Sequence, residues 1–190
     1  MNSFDNTIVQ IIENIKKDII STRNKTLSII NQELIQMYFR IGKVISENAR
    51  YGNDFINSLS KSLKVEFPGV SGYSPRNLAR MRKFYKTYKD LSILPPAVAK
   101  LPWTHNSILI DKVNDANKRI WYAEKCFDNS WSKIVLTHQI DIQLYERQAI
   151  NDNKFTNFDS RLPEVQGELA SDMLKDPYIF ELIVYKEKKN

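Results

Sequence analysis

The apolar residues of this chain recur at helical spacing from near its start. Leu27, Ile30, Leu34, Met37, Ile41 and Val44 follow a three–four alternation, and Ile8, Ile12, Ile15 and Ile19 keep the same rhythm upstream. A period near 3.5 residues predicts a long helix lying along a partner helix. The heptads run for only about three repeats, which favours a partner within the same bundle. The alternative is a homodimer through this N-terminal helix. Gly42 is expected to interrupt the helix and Gly52 to lie beyond its end.

Helical signals continue downstream. Asn53 is a candidate N-cap for a helix to about Phe67, and Pro68, Gly69, Ser71 and Gly72 then break the chain. Ser74-Pro75 restarts it, because serine can cap exposed amides and proline at the first helical position loses nothing by lacking an N–H. That helix should run to about Lys89. The stretch Ile93–Trp103, with Pro95, Pro96 and Pro102, reads as a loop holding one helical turn. Thr104 opens a helix through Val113, Asp115 another through about Phe127, and Ser130 precedes a longer one from Trp131 to Gln148. Asn151–Pro163 reads as loop, Glu164–Lys175 as helix, and Lys186–Lys189 as a solvated tail.

The expected fold is therefore all-α. It is a multi-helix bundle with a long N-terminal helical hairpin or helix, and a helix-turn-helix-like pair around the break. Residues 1–150 form the helical domain; residues 151–190 form a C-terminal loop, short helix and charged tail.

Composition removes several classes. A chain of 190 residues can bury roughly 70% of its unfolded surface, enough for a core without disulfides or metal. Its single cysteine, Cys126, excludes an internal disulfide framework and a cysteine-rich zinc site. No stretch approaches the ~20 apolar residues of a membrane span. Asp5, Glu13, Lys16 and Lys17 rule out a secretory signal at the start, so the expected location is the cytoplasm. Five glycines and no glycine-rich phosphate loop argue against a nucleotide fold, and no cofactor or metal is expected.

Charge changes the picture more than composition does. The formal net charge is +6. Residues 74–89 contain Arg76, Arg80, Arg82, Lys83, Lys86 and Lys89 with no acid, so those six equal the net excess of the whole chain. On a helical wheel, Leu78, Met81, Phe84, Tyr85 and Tyr88 gather in one arc of about 120°, with the cations on the opposite half. The apolar arc would dock on the body and leave a cationic ridge ~20 Å long facing outward. Such a ridge suits a nucleic-acid backbone.

Ser74 adds a hydroxyl at a helix N-terminus that attracts phosphate, and Asn77 sits where recognition helices touch base edges. The candidate DNA-binding set is Ser74, Arg76, Asn77, Arg80, Arg82, Lys83 and Lys86. The connection Pro68–Tyr73 is longer than the 3–4 residues of a compact helix-turn-helix. A solvated face and an acidic protein partner are the competing readings.

No catalytic constellation emerges. His138 shares a helical stripe with Trp131, Ile134, Val135, Ile142 and Tyr145, which marks it as a core or boundary residue. His105 reads as a capping-turn residue, and neither histidine has a partner at metal-ligand spacing. Cys126 reads as packing, and Trp103, Trp121 and Trp131 as core aromatics. Glu187-Lys188-Lys189, with Asp172 and Asp176 upstream, matches half of a metal-dependent nuclease motif. At the end of the chain it reads as charged tail.

Several strings taken together resemble a known family. NQELIQMYFRIGK (Asn31–Lys43), LSKSLKVEFPGVSGYSPRNLARMRKFY (Leu59–Tyr85), LPWTHNSILIDKV (Leu101–Val113) and WSKIVLTHQIDIQLYERQ (Trp131–Gln148), with landmarks between Thr156 and Ile183, are similar to the N-terminal domain of the YhcG family. The resemblance implies a helical DNA-binding module that in longer members precedes a PD-(D/E)XK nuclease domain. The catalytic residues of that domain have no positions in this sequence, so none is carried over. What transfers is Ser74–Tyr85. The expectation is a non-catalytic module that binds DNA or targets a nuclease to it; the alternative is a helical oligomerisation or protein-interaction module.

Overall fold

The computed structural model describes residues 3–48, 52–91 and 93–151, with side chains from 7 to 48, 54 to 91 and 93 to 148. The expected helix Glu164–Lys175 and the Asp172, Asp176 and Glu187 motif lie outside the described residues.

Eight α-helices and no strand make up the described residues. The first, α1, runs unbroken from Ser3 to Glu47, a rod of about 67 Å at 1.5 Å per residue. Gly42 does not interrupt it. A Cβ there would lie 2.1 Å from the Met81 carbonyl oxygen and 2.9 Å from Tyr85 Cβ. Glycine is what lets the backbone of α3 (Pro75–Tyr88) come this close.

The second half of α1 is the spine of the core. Leu27, Leu34, Ile35, Tyr38 and Ile45 are buried, and the main partner of α1 is α3. The buried stripe is turned slightly from the expected one, leaving Val44 exposed. Trp103, fully buried at the start of α5 (Trp103–Lys112), meets Tyr38 at 4.9 Å and Phe84 at 5.3 Å between ring centroids, both edge to face.

Asparagines stitch the short elements to this core. Asn31 Nδ2 donates to the carbonyls of Lys100 and Leu101 (2.9 and 3.1 Å), at the end of α4 (Pro96–Lys100). Asn106 Nδ2 donates to Val98 and Leu101 (2.9 and 3.1 Å). These bonds satisfy carbonyls that the ends of a five-residue helix leave free.

α2 (Gly52–Glu66) is tied to the break before α3 by Ser60 Oγ, which donates to the Tyr73 carbonyl (2.7 Å). A 3₁₀ turn, Ser71–Tyr73, lies in that break. α6 (Ala116–Asp128) starts on Asp115, whose carboxylate accepts the Lys118 amide, as expected. Buried Arg119 donates to the Val113 and Asn114 carbonyls (2.8 and 2.7 Å) just past the end of α5.

Two expectations fail in the last third. The single helix Trp131–Gln148 is two helices, α7 (Lys133–Asp141, capped by Ser132) and α8 (Leu144–Asn151), separated at Gln143, whose φ is +52°. That break cuts the stripe expected to run through His138 off from Ile142 and Tyr145, and within α7 the core takes a different side. His138 is exposed, Ile134 is 73% exposed, and Leu136 is the buried residue of α7. His105, by contrast, is fully buried within α5, and its Nε2 donates to the Trp131 carbonyl at 2.9 Å. Cys126 is buried, as its packing role required.

Candidate nucleic-acid interface

The acid-free segment forms α3, and its two sides divide much as the wheel predicts. Ser74 adopts an extended backbone and its Oγ accepts the Asn77 amide, so the cap forms on the expected residue. Leu78, Met81, Phe84 and Tyr88 are buried. With the docking face fixed, the helix cannot turn its charges inward. Arg76, Lys83, Lys86 and Lys89 are exposed, and Arg80 and Arg82 are half-buried.

One member of the predicted set belongs on the other side. Asn77 is 4% exposed. Its Nδ2 donates to the Gly72 carbonyl (2.7 Å) and its Oδ1 accepts from Trp103 Nε1 (2.8 Å). Both ends of the amide are thus satisfied inside the protein, and Asn77 cannot present them to a base edge. Its position follows from helical geometry: residues 77, 81, 84 and 88 share one face.

The ridge also carries an acid that its own sequence lacks. Asp111 of α5 accepts from Arg80 Nη2 (2.9 Å) through one carboxylate oxygen and from Lys83 Nζ (2.8 Å) through the other. Partial burial works to raise the Asp111 carboxyl. The hydrogen bond from Lys83 and the Arg80 and Lys83 charges together outweigh it, holding the group below the ordinary carboxylate range.

Arg76, Arg82, Lys86 and Lys89 make no ion pair among the described residues. The face therefore has a clamped part, Arg80 and Lys83, and an unclamped part. Arg82, Lys83 and Lys86 line a shallow depression of about 450 Å³ with Ala79 and Thr87. A second groove of about 380 Å³ lies between α3 and α5, where Arg80 and Asp111 meet Thr104, Ser107 and Lys112. Among the described residues no cluster of three or more His, Cys, Asp or Glu could hold a metal, and no helix is long and apolar enough to cross a membrane.

Fold and face together define an all-α module built around one buried, outwardly basic helix. A family model described as the DUF1016 N-terminal domain matches residues 14–147, and the chain belongs to that family. The chain is also 25% identical over 203 residues to the protein named "Putative nuclease YhcG" of Escherichia coli (strain K12), an alignment covering 88% of this chain and 54% of that protein. The resemblance read from the sequence thus holds. The chain spans about half the length of that relative, and the shared part is the N-terminal domain. No solved structure matches.

Proposed function

We propose that this module binds DNA through the outward face of α3, without catalysing a reaction, and so brings an attached or partner nuclease to its substrate in the cytoplasm. The observation that carries the reading is the one-signed outer face of a helix whose other face is locked into the core. Charged helix faces usually mix signs. A cation left exposed and unpaired can instead neutralise phosphate and release counterions. The name of the relative, a nuclease, adds support, since nucleases act on nucleic acid. Arg76, Arg82, Lys86 and Lys89 are the proposed phosphate contacts. Arg80 and Lys83 join them once Asp111 lets go, and the Ser74 hydroxyl offers a further donor at the helix start.

The test is an anisotropy titration of a random-sequence duplex between 50 and 200 mM salt. Four unpaired cations predict a slope of log K on log salt of about −3.6, at ~0.9 per phosphate neutralised. Arg82→Glu with Lys86→Glu removes two contacts and adds repulsion. It should lower affinity about a hundredfold at low salt and leave the helical circular dichroism unchanged. Affinity retained in that variant sinks the assignment.

A second reading, a self-association or protein-interaction module, is favoured by a different observation, the uncovered apolar face of α1.

A further inference from the structure

Every residue of α1 from 7 to 23 is exposed, and the first buried one is Leu27. This stretch stands off the body for about 25 Å at 1.5 Å per residue. It is not a polar spacer. Ile8, Ile12, Ile15 and Ile19 are 41, 45, 54 and 61% exposed, and Val9, Ile11 and Ile20 widen the apolar face beside them. A continuous apolar face of this kind is what marks an interaction site on a soluble protein.

We propose that this stripe is the seam of a parallel, in-register coiled coil with other copies of this chain. The first ground is length and phase. The alternation from Ile8 through Ile19 continues through Thr22 and Thr26 to Ile29, every one of them exposed. Three heptads, about 32 Å of seam, therefore lie along a single face that is exposed among the described residues. Ile29 sits about 160° around the helix from both Leu27 and Asn31 at 100° per residue. Those two residues are buried in the body, so the body lies on the far side of the helix from Ile29 and reaches the seam only at its flank, where Ile30 packs on the core.

The two threonines fit the seam. Thr26 Oγ1 donates to the carbonyl of Thr22 (3.0 Å). Its hydroxyl is satisfied within the helix, which leaves the methyl group for a partner.

Charge decides who the partner is and how it runs. With Ile8, Ile15, Thr22 and Ile29 at d and Ile12, Ile19 and Thr26 at a, Asp18 falls at g and Arg23 at e. In a parallel pair each g residue faces the e residue five places on in the other chain. Asp18 of each copy then meets Arg23 of the other, and the Lys16 stem lies along Ile11. Running the helices antiparallel, with Ile8 on Ile19 and Ile12 on Ile15, sets Asp18 against Ile11 and forms no such pair. The same sequence therefore supplies both the apolar layers and the flanking opposite charges, in one orientation. A seam of three heptads is small for an interface, so association in the micromolar range is expected.

Sedimentation equilibrium of the chain at roughly 1–100 µM, a window set by that small interface, should return a whole multiple of the monomer mass at the upper end, isoleucine at both a and d favouring three strands or more over two. Ile12→Lys with Ile19→Lys should give a monomer throughout, with helical circular dichroism retained because both residues are exposed. Asp18→Arg should weaken association about tenfold, and adding Arg23→Asp should restore it. A chain that stays monomeric, or a double-lysine variant that still associates, overturns the proposal. A charge swap that fails to restore association overturns the parallel register. None of these variants touches α3, so the outcome is separable from DNA binding.

Discussion

The two halves of α1 share a rhythm and have opposite fates. From Leu27 to Ile45 the apolar stripe is covered by α3 and its neighbours; from Ile8 to Ile20 the same residue types lie open. Periodicity says that a face needs covering. Phase says whether one surface can cover both stretches. Ile19 and Leu27 are eight residues apart, two steps of four where the alternation needs a three and a four, which turns the face by about 80° at 100° per residue. The helix thus presents one face to its own body and another away from it.

The sharpest way to break this contrast is to damage each half in turn. Leu34→Ala, at a residue 1% exposed, should cost about 3 kcal/mol through lost transfer energy and a cavity. Gly42→Ala should cost nearly as much. The ~1 kcal/mol of helix propensity gained is outweighed by a Cβ placed 2.1 Å from the Met81 carbonyl oxygen. Ile15→Ala in the open half should change the unfolding free energy of the isolated monomer by less than about 0.5 kcal/mol. Chemical denaturation of the three variants, with the last measured at a concentration too low for association, checks the ordering. Equal losses in both halves would mean that the open stretch is covered after all.

α3 shows the same division on a smaller scale, between what the body uses and what it leaves outside. Asn77 belongs to the body. Asn77→Ala should cost about 2 kcal/mol, because Trp103 Nε1 and the Gly72 carbonyl both lose a buried partner. If Asn77 met DNA instead, the variant would keep its denaturation midpoint and lose binding.

Much of this was legible because local chemistry decided it. The caps at Ser74 and Asp115 formed where serine and aspartate stood before helical runs. α3 acquired its buried face because Leu78, Met81, Phe84 and Tyr88 share one arc. What was not legible depended on distant chain. Asp111 lies 28 and 31 residues from its two cations, so no reading of residues 74–89 could place an acid on the ridge. Residue type alone suggests a base contact for Asn77, although its spacing to Met81, Phe84 and Tyr88 already puts it on the buried face. The stripe through His138 does not continue past the turn at Gln143, and Leu136 is the residue that α7 buries; glutamine gives no warning of a left-handed residue. Helix propensity alone makes Gly42 a break, whereas its use is to admit a neighbouring helix.

A small expected effect bears most on function, since it lies where the clamped and unclamped parts of the ridge meet. Asp111 engages two cations as a phosphate would, one on each carboxylate oxygen. Asp111→Asn should cost less than about 1 kcal/mol, because the ion pairs are partly exposed. It should nonetheless strengthen duplex binding and steepen the salt slope by about 2, since two further cations become free for phosphate. The sign of the pH dependence follows from the depressed Asp111 carboxyl. A lowered folded-state value adds stability that is fully present above the unfolded value of about 3.9 and fades as pH falls through the folded one. The stability difference between the natural chain and Asp111→Asn should therefore be constant near neutral pH and shrink only below about pH 4. A difference that instead varied between pH 5 and 8 would assign the clamp to some other titrating group. An unchanged salt slope would mean that Arg80 and Lys83 remain with the body when DNA binds.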